Sequence, residues 1–183
     1  VRLARNQQGH AFGPRARLND RTAVLNQVHS ISSRVELVRT GDIQELRKLD
    51  ARSRRILLER RLASIDLMGD NGSPPAPGTA VVLASDRPVS IMVNEEDHLR
   101  LQTLLSGLRL REAWNLLDSL DEELGEELPY AYHHEFGFLT SCPTNVGTGL
   151  RASVLMHLPA LVLTKEIVKV LQGLSQVGLT YRG

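Results

Sequence analysis

Two short apolar runs constrain the fold of this chain more than any other feature. They span residues 80–84 and 89–93, and only the sequence Ser-Asp-Arg-Pro (residues 85–88) separates them. Valine and isoleucine, which dominate both runs, favour strands, whereas aspartate and proline are typical of turns. The pattern therefore predicts an antiparallel β-hairpin.

A dense group of ionisable residues follows the second run directly. Residues 94–100 read Asn-Glu-Glu-Asp-His-Leu-Arg, which places three consecutive carboxylates beside a histidine and an arginine. Strands that end in such groups commonly deliver catalytic side chains to a cleft. The alternative is an exposed acidic turn with local salt bridges, because charge clusters often form solvated faces.

Helical spacing dominates residues 19–68 and 110–124. Gly41 interrupts the first region, and Asp42 is placed to cap a helix that continues through Ile43, Leu46 and Leu49. Residues 69–78, rich in glycine and proline, predict a flexible connection. Apolar patterns predict further strands over 136–140, over 151–158 up to Pro159 and from 178 onward, with a helix over 160–172. This order predicts an α+β fold with an antiparallel sheet and helices packed on one face.

Composition limits the class of protein and its surroundings. A chain of 183 residues with a net charge of +1 suits one domain and favours neither nucleic acid nor membranes as partners. Only three of its 22 basic residues are lysines, and arginine binds phosphates through a planar fork. The single cysteine, Cys142, excludes an internal disulfide. We therefore expect a cytoplasmic protein.

Four separated segments resemble the ATP:guanido phosphotransferases, the phosphagen kinases and protein arginine kinases. Residues 1–6 resemble the end of the family block S-S-R-[IV]-R-L-A-R-N, and residues 94–100 match N-E-E-D-H-x-R in full. Residues 142–153 match C-P-[TS]-N-x-G-T-x-x-R-A-[SG], and residues 182–183 resemble the start of R-G-x-x-G-E. Residues 155–161 look like the bacterial protein arginine kinase branch.

The resemblance implies the phosphagen kinase catalytic fold, which is glutamine synthetase-like. The S-S-R residues, the glutamate of R-G-x-x-G-E and the C-terminal helical part of the family have no counterpart in this sequence. We therefore expect residues 1–183 to form a single partial catalytic domain of a longer protein, weakly active or inactive by itself. The family's dimer contacts lie in that C-terminal part, so the resemblance implies a homodimer through it.

Site roles also follow from the resemblance, position by position. Glu96 resembles the catalytic carboxylate that holds the target guanidinium and accepts its proton, and Cys142 resembles the active-site cysteine. The residues that resemble the family's supporting set around the catalytic carboxylate are Asn94, Glu95 and Asp97. The residues that resemble the ATP-binding set are Arg2, Arg61, Arg100, Arg151, Ala152, Ser153, Val154, Leu155, Arg182 and Gly183. Arg61 stands where the family has a histidine that contacts the nucleotide.

This assignment agrees with the chemistry of guanidinium phosphorylation. A guanidinium has a pKa above about 12, so a carboxylate must grip it and take up the released proton. Phosphoryl transfer further needs cations around the triphosphate, and Arg5 is a further candidate beside the arginines named above. ATP is the expected cosubstrate, with Mg²⁺ bound mostly through phosphates and water.

Three functions remain open at this point. The first is phosphorylation of exposed arginines in protein substrates. The second is phosphorylation of free arginine or another guanidino metabolite. The third is a non-catalytic role as a nucleotide- or partner-binding relative.

Overall fold

The computed structural model describes residues 1–31, 33–69 and 73–181. These residues form two compact units, Val1–Ala152 and a second unit that begins at Ser153. Two of the predicted site residues, Arg182 and Gly183, lie outside the described residues. None of the helices described combines the length and the apolar character that a membrane span requires.

The first unit is built on two antiparallel sheets. The strands are β1 (Arg2–Arg5), β2 (Asp42–Glu45), β3 (Ala80–Leu83), β4 (Val89–Val93), β5 (Leu99–Thr103), β6 (Tyr132–His133), β7 (Gly137–Phe138) and β8 (Leu150–Arg151). The main sheet has the order β2-β3-β4-β5-β1-β8, and β6 pairs with β7. The predicted hairpin is confirmed, since β3 and β4 are antiparallel neighbours.

Helices flank the main sheet, which confirms the predicted α+β class. Those of the first unit are α1 (Leu18–Ser30), α2 (Glu36–Thr40), α3 (Ala51–Glu59), α4 (Ile65–Met68) and α5 (Leu110–Glu127). The second unit contains α6 (Pro159–Leu163) and α7 (Ile167–Gln176). Helix α5 was expected from its amphipathic pattern, and it buries Ala113, Leu117, Leu120 and Leu124.

The two faces of the main sheet differ in how they are covered. One face packs against α1 and α5 and forms the larger core, which includes Leu3, Ile91 and Leu101. The other face carries a smaller cluster, in which Val81 and Met92 pack with Leu57 of α3 and other apolar residues. The expectation of helices on one face only is therefore wrong. This second cluster covers β3 and β4, and the same face of β5, β1 and β8 carries polar residues.

Two predictions fail before the hairpin and just after it. Residues 42–45 form strand β2, in which Ile43 lies opposite Val82, so Asp42 does not cap a helix. The helical spacing of Ile43, Leu46 and Leu49 is too short to outweigh the backbone pairing offered by β3. Strand β5 was not predicted, because its alternation is brief and follows the charged loop directly.

The second unit also departs from its sequence pattern. Of the strand predicted over 151–158, only Arg151 is paired, as the end of β8, and residues 152–158 are not in a strand. The predicted helix over 160–172 is divided in two around Lys165, whose φ is +63°. Residues 178–181 form no strand, and Leu179 and Tyr181 are exposed. Alternation predicts a strand only where one face is buried, and no described residue of this unit is buried.

Candidate active site

The acidic loop connects β4 to β5 and is anchored at its first residue. Asn94 adopts a φ of +58°, a conformation that asparagine tolerates better than most residues. Its side-chain amide donates hydrogen bonds to the carbonyls of Arg21 (2.8 Å) and Gly78 (2.7 Å). Asn94 therefore ties the loop to α1 and to the connection before β3, and its supporting role in catalysis stays a prediction.

The first carboxylate, Glu95, forms an ion pair. Its side chain is only 2% exposed and pairs with the guanidinium of Arg100 on β5. Burial would raise the pKa of Glu95, but the charge of Arg100 and hydrogen bonds from Ser64 and from the Glu96 amide hold that pKa below its ordinary value. Glu95 thus stays ionised and orients Arg100.

Glu96, the second carboxylate, faces solvent and forms no ion pair with any residue that the structure describes. Loss of solvation raises the pKa of Glu96, and the charges of Asp97 and Glu95 raise it further. A carboxylate with a raised pKa is a stronger base than an ordinary one, which suits a proton acceptor. Among the three carboxylates, Glu96 has the surroundings that fit the predicted catalytic role.

The third carboxylate, Asp97, is a buried structural acceptor. Only 5% of the residue is exposed. Its Oδ1 atom accepts hydrogen bonds from Asn6 Nδ2 at 2.6 Å and from the Ser141 amide at 2.7 Å. Asp97 therefore joins three segments, the end of β1, the acidic loop and the loop that carries Cys142.

Three of the predicted phosphate-binding arginines share one face of the main sheet. Arg2 lies opposite Arg151 on β8 and opposite Gln102 on β5, and Arg100 lies opposite Ala4. Because side chains alternate along a strand, Arg2, Arg100 and Arg151 extend from the same side. Burial, and then the nearby charge of Arg100, lowers the pKa of Arg2.

The close approach of β8 to β1 depends on a glycine. Gly149 has a φ of +65°, and a Cβ atom there would lie 2.6 Å from the carbonyl oxygen of Ala4. The amide of Ala4 donates a hydrogen bond to the Gly149 carbonyl at 2.9 Å. Gly149 thereby allows β8 to reach the edge of the sheet and brings Arg151 beside Arg2.

Arg5 points away from this cluster, although it shares a strand with Arg2. It is 3% exposed, and its guanidinium pairs with Asp121 of α5 at 2.5 Å. The same group lies 3.7 Å from the centre of the Phe138 ring and donates to the carbonyl of Thr148. Arg5 is therefore a structural residue of the opposite face, and its prediction as a phosphate ligand is wrong.

The carboxylates and the arginines line one open cleft. Arg2, Arg100 and Arg151 line it together with Glu95, Glu96 and Asp97. One carboxylate with a raised pKa thus shares a cleft with several fixed cations. Such a cleft can hold a polyanion on its arginines and a cation on its free carboxylate.

Cys142 lies in the loop after β7, at intermediate exposure. Its Sγ atom is 3.0 Å from the Thr144 hydroxyl, and its carbonyl accepts a hydrogen bond from Thr140 Oγ1 at 2.8 Å. The loop is joined to the acidic loop through Ser141, whose hydroxyl donates to the Glu96 carbonyl at 2.7 Å. The two residues predicted to contact the guanidinium therefore belong to directly connected loops.

Arg61, the next of the predicted nucleotide-binding residues, follows α3 with a φ of +58°. Its carbonyl accepts a hydrogen bond from Gln102 Nε2 at 2.8 Å, and its positive charge contributes to the lowered pKa of Arg2. It therefore lies on the arginine-bearing side of the sheet.

The remaining predicted nucleotide residues are not brought into the cleft by a described contact. Ala152 ends the first unit and is exposed, and Ser153, Val154 and Leu155 are exposed residues of the second unit. For these four residues, nucleotide binding stays a prediction.

Sequence reasoning missed three residues that organise the site. Ser141 links the two loops, Asn6 bonds Asp97, and Gln102 holds the carbonyl of Arg61. Asn6 is the last residue of one recognised motif and Ser141 immediately precedes another, so their position was a usable signal. Gln102 has no such signal, because its role depends on the unpredicted strand β5.

Metal binding by the protein alone is not supported. Within residues 1–31, 33–69 and 73–181, no group of three or more His, Cys, Asp or Glu side chains is arranged to hold a metal ion. In phosphoryl-transfer sites Mg²⁺ commonly binds with the nucleotide, and its binding here stays a prediction.

Comparison with curated proteins identifies similar chains. The chain is 47% identical over 186 residues to the protein-arginine kinase of Moorella thermoacetica and 40% identical over 185 residues to that of Bacillus subtilis. Both alignments cover 100% of this chain but only 52% and 49% of those proteins. The chain thus spans about half the length of the curated relatives it matches.

Solved structures share the fold. The substrate-free duplicated taurocyamine kinase of Schistosoma mansoni is 25% identical with a TM-score of 0.74, covering 88% of this chain and 24% of that one. Lombricine kinase is 22% identical with a TM-score of 0.70, covering 93% of this chain and 51% of that one.

A family model agrees with these similarities. The model described as "ATP:guanido phosphotransferase, C-terminal catalytic domain" matches residues 23–183. Because this match extends over well more than half of the chain, the chain belongs to the ATP:guanido phosphotransferase family.

Proposed function

We propose that this chain supplies the catalytic domain of an ATP-dependent kinase that phosphorylates arginine side chains in proteins. One observation carries the proposal: Glu96, a carboxylate with a raised pKa, lines the same cleft as Arg2, Arg100 and Arg151. The transfer needs a base for the guanidinium and cations for the triphosphate, and this cleft contains both.

In the proposed reaction, Arg2, Arg100 and Arg151 bind the phosphate oxygens of ATP and offset the charge of the transferring group. Glu96 grips the N–H edge of the acceptor guanidinium and takes the proton that leaves as the N–P bond forms. At the same time the bond between the γ-phosphorus and the β–γ bridging oxygen of ATP breaks, and ADP leaves. Glu95 holds Arg100 in place, and Asn94 and Asp97 fix the loop. Cys142 adds a polarisable group beside the guanidinium.

The rest of the nucleotide site belongs to the same proposal. Arg61, Ala152 to Leu155, Arg182 and Gly183 contribute to ATP binding, and Mg²⁺ neutralises the phosphates of the bound nucleotide. A cytoplasmic location, where ATP is available, is part of the proposal. Dimerisation through a part beyond this sequence stays a prediction.

Whether the phosphate acceptor is a protein or a small molecule is inferred from the relatives and not from the cleft. The curated relatives that match the whole chain are named protein-arginine kinases. A second candidate follows from the solved structures, whose names designate taurocyamine and lombricine kinases. Phosphorylation of a free guanidino compound is therefore the alternative to test.

Labelled ATP and an arginine-rich protein test the function directly. We expect an acid-labile, hydroxylamine-sensitive phosphate on the acceptor, and we expect it to disappear with Glu96→Ala. Equal labelling by that variant would refute the assigned base. An excess of free arginine should leave protein labelling nearly unchanged, whereas strong competition would favour the small-molecule alternative.

A further inference from the structure

Ser141 makes two hydrogen bonds to the acidic loop, although that loop is more than forty residues away in sequence. Its hydroxyl donates to the Glu96 carbonyl oxygen at 2.7 Å, across 45 positions. Its amide donates to Asp97 Oδ1 at 2.7 Å, across 44 positions. Both bonds are made by the residue that immediately precedes Cys142.

Asp97, which accepts the hydrogen bond from the Ser141 amide, is held in place by a further hydrogen bond. Asp97 Oδ1 also accepts from Asn6 Nδ2 at 2.6 Å, and Asn6 is 1% exposed. The same Asn6 amide group donates to the carbonyl of Leu139 at 3.0 Å, in the segment that leads to Ser141. The bond between Asn6 and Asp97 is buried, whereas the bond from the Ser141 hydroxyl to Glu96 is exposed. Because each bond of this network restricts its neighbour, the network holds the two loops in one relative position.

A third segment restricts the space around the Ser141 hydroxyl. Gly13 has a φ of +61°, and a Cβ atom added there would collide with Ser141 Oγ. The backbone at Gly13 thus lies directly over the hydroxyl. The hydroxyl has little freedom to leave the Glu96 carbonyl.

We propose that Ser141 is a positioning residue that fixes the separation between the Glu96 carboxylate and the Cys142 thiol. This inference rests on the proposed function, in which both groups contact one guanidinium. Two groups on separate loops can contact the same small cation only if the loops are held together. A displacement of about 1 Å at reacting groups can reduce turnover about 10²-fold.

The kinetic test uses Ser141→Ala in the natural full-length protein. This change removes the hydroxyl bond to Glu96 but keeps the amide bond to Asp97. We expect kcat for arginine phosphorylation to fall about tenfold or more, with the Kd for ATP within about twofold of wild type. Ser30→Ala is the matched control, because it removes an exposed serine hydroxyl that donates to the Gln27 carbonyl at 2.8 Å.

A second test is independent of activity. The rate of Cys142 alkylation by iodoacetamide is measured by peptide mass spectrometry in wild type, Glu96→Gln, Ser141→Ala and the double variant. Replacing Glu96 removes a negative charge near Cys142 and should change the alkylation rate about threefold when the loops hold the two groups close together. In the Ser141→Ala background, Glu96→Gln should change the Cys142 alkylation rate by less than about half as much as it does in the wild-type background.

The outcomes separate the two proposals. If the wild-type protein does not phosphorylate arginine, the proposed function fails, and the alkylation cycle still decides the role of Ser141. If Ser141→Ala leaves the Glu96 effect on alkylation unchanged, the positioning role is overturned. A loss of coupling together with an unchanged Ser30→Ala control would support it.

Discussion

Arg2 lies directly opposite Arg151 on neighbouring antiparallel strands, so two guanidinium groups share one face of the sheet at its edge. Like charges placed opposite each other destabilise a sheet. The charge of Glu95 offsets part of this repulsion on Arg2, and a bound anion between the groups would offset more of it. An anion-binding site explains why a fold would keep such a pair.

We expect Arg151→Gln to weaken ATP binding about tenfold, because one charge-assisted hydrogen bond to phosphate is lost. The unfolding midpoint of the ligand-free protein should not fall, since a repulsion is removed. Calorimetric titration and thermal unfolding measure the two effects. Arg55→Gln, which removes an exposed pair with Glu59, is the control and should leave ATP affinity unchanged.

Glu96→Gln should reduce kcat about 10²-fold or more while ATP affinity is preserved, because only the base is removed. The raised pKa of Glu96 sets the pH dependence of the wild-type reaction. The reactive form is the ionised carboxylate, so activity should rise as pH increases through that pKa. Rates measured from pH 4.5 to 8 test this, and a flat profile over that range would contradict the assignment.

The thermal stability of Glu96→Gln provides a separate check. A carboxyl whose pKa is raised on folding disfavours the folded state when it is ionised. The variant should therefore unfold no lower than wild type at pH 7. A clearly lower midpoint would mean that Glu96 has a structural role.

Asp121→Ala should destabilise the fold by about 3 kcal/mol, because the buried Arg5 guanidinium would lose its carboxylate. Urea unfolding measures this effect. Glu59→Gln, which breaks the exposed pair with Arg55, should change stability by less than about 0.5 kcal/mol. A loss of ATP affinity without a loss of stability in Asp121→Ala would contradict the structural role given to Arg5.

His98 should make the fold sensitive to mild acid. Its Nδ1 accepts from the Gln7 amide at 3.0 Å, and its Nε2 lies 3.1 Å from the Ala11 carbonyl, which fits a neutral ring. Burial lowers the pKa of His98, and the neighbours that influence it are His10, Asp97 and Asp20. The stabilisation that the neutral His98 ring gives the folded state is complete above the ordinary histidine pKa of about 6.5. This stabilisation is lost as pH falls below that value.

The free energy of unfolding, measured by urea titration between pH 5 and pH 7.5, tests this. We expect a decrease toward pH 5 that is smaller in His98→Gln, although that variant should be less stable overall at pH 7.5. If the free energy of unfolding falls equally with pH in the two proteins, the acid sensitivity comes from groups other than His98.

The local sequence was enough to predict one hairpin of the fold and to indicate the family. The hairpin of β3 and β4 was predictable because two apolar runs, 80–84 and 89–93, are separated by a four-residue turn sequence. The motifs at 94–100 and 142–153 indicated the family, since each motif is a continuous segment whose chemistry can be interpreted without a fold. The short strands β2 and β5 were not predictable, because pairing with neighbours outweighs their weak local preferences.

Tertiary structure alone decided which charged residues face the cleft. Arg2 and Arg5 are three positions apart, and both were candidate phosphate ligands in the sequence. Pairing with β5 and β8 turns Arg2 toward Arg151, whereas strand alternation turns Arg5 toward Asp121 on the opposite face. The sequence thus determined the set of reactive residue types, and the register of the sheet decided which of them can meet, because a side chain's face depends on its strand partners.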